Sequence, residues 1–230
     1  PAVGSAHMLT YAFELLYAIY EEEGYSPPDI PRLILQHNLM GLEIDERAAA
    51  LAAFALVMKA RAKDRRFFRR GVMPQITTLR PIQFSEAELE AEVQNLVTHV
   101  IPRSSEESLF DSTNQRPIQS KIPLSEDSAR NDMEEALRHD LTLFKEADNF
   151  GSLLRPMLSA RQLRQLHEHL NRAAPTGQLQ LFDQERRRKV RQAIVQALPL
   201  AQKYAVVVAN PPYLGNFNDS LKKFAKTHYP

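Results

Sequence analysis

The spacing of apolar residues predicts alternating strands and helices in the first third of the chain. Residues 7–23 repeat apolar side chains every three or four positions, as an amphipathic helix does. A second helix is predicted over 46–66, because Asp45 is a suitable N-cap and the stretch that follows is nearly all apolar. Short apolar runs predict strands over 39–44 and 75–79. A strand, a helix and a second strand in this order indicate an α/β unit.

The first predicted helix carries its apolar side chains along one stripe. Residues three or four apart return to the same side of a helix at each turn. The stripe consists of Met8, Tyr11, Ala12, Leu15, Leu16, Ile19 and Tyr20. The stripe predicts an amphipathic helix.

Residues 85–200 have a different pattern. Helical periodicity extends over 85–99, 127–149, 162–171 and 184–198. A polar stretch rich in proline and serine, residues 101–125, separates the first two of these helices and is predicted to be exposed. We therefore predict a helical insertion between the strand at 75–79 and the next strand along the chain.

The last apolar run, residues 204–209, is followed by Pro211 and Pro212. Five or six β-favouring residues in a row predict a strand that is buried on both faces. Two prolines prevent further ladder hydrogen bonds and stiffen the turn. The pattern predicts a rigid loop at the carboxyl end of a central strand, where open α/β sheets bind their ligands.

Composition narrows the class of protein. The 230 residues suffice for one domain with an insertion, and the net charge of +1 gives no overall attraction to nucleic acid. Cysteine is absent, which excludes disulfides and thiolate metal sites and fits a cytoplasmic location. No apolar run reaches the roughly 18 residues that span a bilayer, so no membrane association is predicted.

The loop after the last apolar run presents groups that suit a planar target with an amino group. An amide, a proline carbonyl and an aromatic ring are displayed together there. The loop residues are Asn210, Pro211, Pro212 and Tyr213. Two acceptors for N–H groups and a ring for stacking fit an adenine that has been rotated out of a duplex.

This loop resembles the catalytic motif of N6-adenine DNA methyltransferases. The opening residues 1–9 resemble the S-adenosylmethionine loop of the same enzymes. Further segments, 41–48, 150–153 and 221–230, are similar to the large PglX-type methyltransferases of bacterial BREX phage-defence systems. The resemblance implies an α/β, partial Rossmann-like S-adenosylmethionine-dependent methyltransferase fold with a helical insertion.

The resemblance also implies a division of the chain. Residues 1–84 would be the cofactor-binding half, 85–200 the mostly helical insertion, and 201–230 the catalytic-loop strand with the helix after it. Both ends lie inside the expected fold, so the chain is predicted to be part of a larger enzyme. Its expected partner is double-stranded DNA with a flipped adenine, together with other phage-defence proteins.

The implied cofactor site lies at the opening loop and the end of the strand at 39–44. A Gly/Ser-rich turn before a helix aims backbone N–H groups at a carboxylate such as that of S-adenosylmethionine. Glu43 would take both ribose hydroxyls, although pairing with Arg47 is an alternative. Ile44 would flank the adenine, and Asp45 would cap the next helix or contact the adenine amine. The implied cofactor residues are Pro1, Ala2, Gly4, Ser5, Ala6, Glu43, Ile44 and Asp45.

The chain departs from the family pattern in the opening loop. Ala6 stands where the family has glycine, and Val3 stands where it often has cysteine. If position 6 requires a positive φ, the β-carbon costs roughly 1–2 kcal/mol. A second departure is Ala205, where many members have aspartate.

The implied catalytic step is direct displacement. The Asn210 amide oxygen and the Pro211 carbonyl would accept hydrogen bonds from the target amine and orient its lone pair toward the methyl sulfonium. Tyr213 would stack on the extruded ring, which contributes roughly 1–3 kcal/mol. Such a reaction needs positioning more than a strong base.

Two other functions remain open on these residues. The same loop serves enzymes that methylate a glutamine amide in protein or a base in RNA, although in the glutamine enzymes the two motifs lie much closer together. The altered opening loop also allows a catalytically inactive DNA-binding or interaction fragment. Cofactor binding separates the active from the inactive interpretation.

Three further features have simpler explanations. Two basic clusters could contact phosphates, but solvated helix faces are the more common outcome. They are Lys59, Arg61, Lys63, Arg65, Arg66, Arg69 and Arg70, and Arg186, Arg187, Arg188, Lys189 and Arg191. His167 and His169 do not predict a metal site, since residues two apart on a helix point in different directions. A helix end followed by glycine explains residues 150–153 as well as any functional role.

Overall fold

The computed structural model describes residues 1–100, 126–172, 181–210 and 217–229. The strands within these ranges are β1 (Met40–Glu43) and β2 (Gln75–Thr78). The helices in the same ranges are α1 (His7–Glu22), α2 (Ile30–Leu33), α3 (Glu46–Lys63), α4 (Glu86–Val100), α5 (Glu126–Thr142), α6 (Ala147–Phe150), α7 (Ala160–Arg172), α8 (Leu181–Ala201) and α9 (Asp219–His228). A π-helical turn, Ile34–Asn38, continues α2, and 3-10 turns cover Phe67–Arg70, Leu143–Glu146 and Gly151–Leu153. The described part of the chain is therefore mostly helical, with a small parallel sheet.

The β1–α3–β2 unit confirms the prediction for the first third. The two strands pair in parallel, with Met40 opposite Gln75 and Glu43 opposite Thr78. The alanine-rich side of α3 is buried through Ala49, Ala52 and Ala60, as close approach to its neighbours requires. Small side chains on this face let the helix axis lie near the strands that it connects.

The α1 helix buries only one edge of the predicted stripe. Its described core side chains are Phe13 and Tyr17, flanked by the partly buried Leu9, Ala12, Leu16 and Tyr20. By contrast, Met8, Tyr11, Leu15 and Ile19 are 50%, 74%, 54% and 46% exposed. Apolar residues occupy most of the circumference of α1, so the helical period fits two adjacent stripes. Packing against α2 and α3 selects one of them.

The helices of 86–201 share a core with the sheet. One continuous cluster joins Leu42 of β1 and Leu79 after β2 to side chains of α4, α5, α7 and α8. An ion pair between the partly exposed Arg186 and the buried Glu92, 2.7 Å apart, connects α8 to α4. The helical region is thus packed onto the strands, and the domain boundary at residue 84 stays a prediction.

The helix predicted over 127–149 is interrupted. The α5 helix ends at Thr142 and is followed by the 3-10 turn and by α6. The Thr142 hydroxyl donates to the carbonyls of Arg138 and His139, at 2.8 and 3.0 Å. A side-chain donor at these carbonyls competes with the backbone N–H groups that would continue the helix.

The prediction of a buried strand over 204–209 is wrong for this structure. These residues have no strand pairing, and Val206, Val207 and Val208 are 76%, 64% and 50% exposed. The exposed stretch lies directly before Asn210, which is itself exposed. The run has the composition of a buried strand, but in the structure its side chains are exposed.

The surroundings of β1 explain this difference. Successive carbonyls of a strand point to opposite edges, and the Glu43 carbonyl accepts from the Leu79 N–H on the β2 side, at 2.8 Å. On the other edge the Leu42 carbonyl accepts from the Val3 N–H at 3.1 Å. Burial on both faces requires neighbouring strands, which an apolar run does not itself provide.

Gly41 lies where the opening loop crosses β1. A β-carbon at this position would be 2.6 Å from Ile76 Cδ1, 2.6 Å from Val3 Cγ2 and 3.3 Å from Leu9 Cδ1. We expect Gly41→Ala to lower the free energy of unfolding by about 1–3 kcal/mol, because extra volume in a packed site forces its neighbours apart. Urea denaturation measures the change. Val3→Ala removes one of the two closest contacts, so the double variant Gly41→Ala/Val3→Ala should lose less stability than the sum of the two single variants, and additive losses would contradict this explanation.

Candidate active site

Glu43 ends β1 with a carboxylate that is only 8% exposed. Its Oε2 accepts from the Gly4 N–H at 2.7 Å. Its Oε1 accepts from the N–H groups of Ile44 and Asp45, at 2.9 and 3.1 Å. Backbone N–H groups therefore satisfy Glu43, and the alternative of pairing with Arg47 is not needed to explain it.

These hydrogen bonds limit what Glu43 can still bind. A carboxylate offers about four lone-pair directions. Three N–H groups occupy three of them, two on Oε1 and one on Oε2. One acceptor direction is left on Oε2, beside Gly4. The predicted hydrogen bonds to two ribose hydroxyls would need a second acceptor or the release of one N–H group.

The opening loop turns sharply beside Glu43. Gly4 has φ of +56°, and no atom would lie within 4 Å of a β-carbon at this position. Ala2 and Ala6 also have positive φ, 51° and 68°. The loop thus keeps open space at Gly4, three residues before α1 begins at His7.

Ser5 completes the opening loop at the first turn of α1. Its hydroxyl lies 2.8 Å from His7 Nδ1, in an exposed contact. The structure therefore gathers Gly4, Ser5 and Ala6 close to the end of β1. The sequence motif predicted this grouping.

The two residues after Glu43 have separate surroundings. Ile44 is 46% exposed, so its side chain is available to a ligand next to Glu43. Asp45 is the N-cap of α3, and its Oδ1 accepts from the N–H groups of Arg47 and Ala48, at 2.7 and 3.1 Å. The hydrogen bonds from Ala48 and Arg47 lower the pKa of Asp45. The prediction that Asp45 caps the helix is confirmed.

A segment that the sequence left without a role also reaches this site. The 3-10 turn Gly151–Leu153 packs against β1. A β-carbon at Gly151 would lie 3.3 Å from Ile44 Cγ2. The only sequence signal for this placement was the similarity of residues 150–153 to the large methyltransferases.

The loop predicted to be catalytic is only partly described. Pro211, Pro212 and Tyr213 lie outside the described residues, and so do 101–125. Upstream, the Tyr204 hydroxyl donates to the Pro199 carbonyl at 2.8 Å and lies 2.6 Å from Met40 Sδ. The chain that leads to Asn210 therefore starts beside the first residue of β1.

At least five of the twelve cations of the two basic clusters, including Arg186, have acidic partners among the described residues. Lys59 and Lys63 pair with Glu14, at 2.8 and 3.2 Å. Arg70 pairs with Asp64 at 2.7 Å and with Asp29 at 3.2 Å. In the second cluster Lys189 pairs with Glu88 at 3.0 Å. These ion pairs support the interpretation of both clusters as helix faces at the protein surface.

The described residues also bear on metal and membrane binding. No three His, Cys, Asp or Glu side chains in that part of the chain converge as metal ligands do. None of its helices combines the length and apolar character that crossing a bilayer requires.

Substitutions of Ala6 test whether the backbone of the opening loop is strained at this residue. It is fully buried, with φ of 68°. In Ala6→Gly the relief of roughly 1–2 kcal/mol of left-handed strain is offset by about 0.8 kcal/mol for the lost methyl and about 0.5–1 kcal/mol of backbone entropy. We expect its unfolding free energy to stay within about 1 kcal/mol of wild type.

The matched variant Ala6→Val adds volume and a β-branch at the same position. Overpacking alone costs about 1–3 kcal/mol, and the branch makes positive φ less favourable. We expect it to be less stable than Ala6→Gly by about 2 kcal/mol or more in urea denaturation. Equal stability of the two variants would show that position 6 does not adopt this conformation in solution.

The chain is similar to known methyltransferases along its whole length. The chain is 40% identical to an adenine-specific methyltransferase BrxX of Escherichia coli O9:H4 (strain HS), over 100% of this chain and 18% of that protein. It is 28% identical to an adenine-specific methyltransferase PglX of Lacticaseibacillus casei (strain Zhang), over 100% of this chain and 17% of that protein. The chain therefore spans less than a fifth of the length of these relatives.

A family model covers most of the chain as well. Residues 37–230 match the Eco57I restriction-modification methylase family. The match includes Glu43 and the loop that begins at Asn210, and the relatives extend the similarity through the opening loop. The predicted resemblance to adenine-specific methyltransferases of BREX systems is confirmed. The chain belongs to the Eco57I restriction-modification methylase family.

Proposed function

We propose that this chain forms part of a cytoplasmic DNA methyltransferase that transfers a methyl group from S-adenosylmethionine to adenine N6. Membership of the methylase family and the BrxX and PglX relatives support this activity and a role in phage defence or restriction-modification. The observation that carries the proposal is the hydrogen bond from the Gly4 N–H to Glu43 Oε2, which joins two separate motifs of the sequence at one end of β1.

The residues around Glu43 fit the proposed cofactor. Oε2 keeps one acceptor direction for a ribose hydroxyl, and the space at Gly4 would admit the cofactor next to it. Ile44 would lie against the adenine. The opening loop, from Pro1 to Ala6, would present backbone N–H groups to the methionine carboxylate. When bound, the cofactor supplies an activated methyl group.

The finer fold that we propose is Rossmann-like. Parallel β1 and β2, connected by α3, are the expected neighbours in such a sheet. In the structure residues 204–209 are exposed and unpaired, and this stretch starts at Tyr204 beside Met40. Six extended residues from Tyr204 cover about 20 Å, whereas Met40 to Glu43 covers about 10 Å. The length therefore suffices to bring Asn210 to the Glu43 end.

The chemistry proposed for the catalytic loop is positioning. Asn210 Oδ1 and the Pro211 carbonyl would accept the two hydrogens of the adenine amine and direct its lone pair at the methyl group. Pro212 would hold the turn, and Tyr213 would stack on the base. Double-stranded DNA with a flipped adenine is the proposed substrate, since the ring must leave the stack to reach such a loop.

The test is methylation of DNA by the complete protein. Digested DNA from cells with and without the gene is analysed for N6-methyladenine by mass spectrometry. The proposal expects the modified base only in cells that have the gene. Methylation found instead in RNA or at a glutamine side chain would replace the substrate, and no cofactor binding at millimolar concentration in calorimetry would leave an interaction role.

A further inference from the structure

Residues 146–155, which we name the bridging segment, bind the helix that follows the catalytic loop. Asn218, the N-cap of α9, donates through Nδ2 to Asn149 Oδ1 at 2.8 Å. The Asn149 amide lies 3.4 Å from Asn218 Oδ1 in return. Ser220 donates to Glu146 Oε2 at 2.9 Å. Polar contacts thus fix the first turn of α9 to the bridging segment.

Ring contacts continue along α9. Phe224 stacks on Phe150 with ring centroids 4.1 Å apart and an angle of 14° between the planes. His228 lies on Phe224 at 4.4 Å. Beyond the helix, the Tyr229 hydroxyl donates to the Leu153 carbonyl at 2.6 Å, and Arg155 lies over its ring at 4.2 Å. Contacts therefore extend along α9 and just beyond its end.

The bridging segment contacts the candidate active site from its other side. Gly151 lies against Ile44 and has φ of 53° and ψ of −131°, a conformation open essentially to glycine alone. It is the residue directly after Phe150. A displacement of the Phe150 ring would therefore move the neighbouring Gly151 backbone against Ile44, the residue after Glu43.

The bridging segment is itself held by the helical core. The buried Asp140 carboxylate accepts from the N–H groups of Met157 and Leu158, at 2.7 and 3.0 Å. The Phe144 carbonyl accepts from the Ile82 N–H at 3.0 Å. These bonds flank the bridging segment on both sides, so it is a fixed platform between β1 and α9.

We propose that the bridging segment positions the catalytic loop relative to the cofactor end of β1, with Phe150 and Phe224 as positioning residues. This inference rests on the proposed function. Asn210 lies between Tyr204, which is held beside Met40, and Asn218, which is held by Asn149. Through chain length alone, the contacts at Tyr204 and Asn218 limit how far the Asn210 amide can lie from β1 and from the bridging segment. Methyl transfer is sensitive to such restriction, since a misplacement of about 1 Å can lower a rate about 10²-fold.

The test uses Phe224→Ala in the complete protein, because Phe224 stacks on Phe150 rather than on Ile44. We expect the single-turnover rate of adenine methylation to fall about 10- to 100-fold, with cofactor affinity in calorimetry within about threefold of wild type. Phe224→Tyr keeps the ring and should restore most of the rate. Phe68→Ala removes an aromatic ring that is 61% exposed outside the bridging segment, and it serves as the matched control.

A second variant covers the case in which Phe224→Ala folds poorly. Asn149→Ala removes the amide pair at the first turn of α9 and should lower the rate several-fold. Active-site titration distinguishes positioning from folding: a merely structural role reduces the fraction of active protein and leaves the rate per active site unchanged.

The outcomes separate the two proposals. An active wild type with an equally active Phe224→Ala protein would overturn the positioning role alone, and so would an unchanged rate per active site. A complete wild-type protein without methyl-transfer activity on any substrate would overturn the proposed function and the positioning role together.

Discussion

Replacing Asn210 with alanine in the complete protein is expected to lower the rate of adenine methylation by at least about 10²-fold. The proposed role of the amide is to accept a hydrogen bond from the target amine, and loss of one placed hydrogen-bonding group at a reacting centre costs about 10²–10³ in rate. Cofactor affinity should stay within about threefold of wild type, because the proposed cofactor contacts lie at Gly4 and Glu43.

Radiolabelled methyl transfer to duplex DNA measures the rate, and calorimetry measures the affinity. Asn171→Ala is the matched control, since Asn171 is an exposed asparagine at the end of α7. Turnover at the wild-type rate in Asn210→Ala would remove Asn210 from the mechanism. A parallel loss of cofactor binding would instead mean that the loop shapes the cofactor site.

Glu43→Gln is expected to affect stability and cofactor binding together. In any orientation the new amide nitrogen replaces one acceptor, so at least one of the N–H groups of Gly4, Ile44 and Asp45 loses its partner. A buried donor without a partner costs about 1–3 kcal/mol, which is the expected loss in unfolding free energy. Weaker hydrogen bonding to the ribose should raise the cofactor dissociation constant about 10- to 100-fold.

Urea denaturation and calorimetry measure the two effects of Glu43→Gln. Glu46→Gln is a suitable control, because Glu46 is exposed and its ion pair with Arg80 lies at the surface. Surface pairs contribute about 0–1 kcal/mol, so this control should remain close to wild type. Normal stability in Glu43→Gln would argue against the three N–H contacts, whereas normal cofactor affinity would argue against the ribose role alone.

Local chemistry allowed the sequence to predict much of the first third. The strands around Leu42 and Ile76 and the cap at Asp45 depend on residues within a few positions of each other. The approach of Gly4 to Glu43 is a long-range contact, and the motif resemblance supplied it. In these places propensity, capping and motif all favour one structure.

The errors concern features that are decided by distant parts of the chain. On α1, the residues around Met8 and the residues around Phe13 each fit a helical stripe. The Phe13 stripe is the buried one, because the neighbouring helices pack on that side. At Val207 the composition is that of a strand, but exposure is set by which strands lie alongside. The amide pair of Asn149 and Asn218 joins residues 69 positions apart, and no local pattern encodes it.

The hydrogen bonds around Glu43 also have a thermodynamic consequence for ligand capture. A free glutamate side chain loses up to about 1.5–2 kcal/mol of rotamer entropy when it is fixed. Three backbone N–H groups already hold Glu43 in place, so this loss belongs to folding. Under the proposed function, the ribose diol would meet an acceptor that is preorganised, and its association free energy would not be diminished by ordering that side chain.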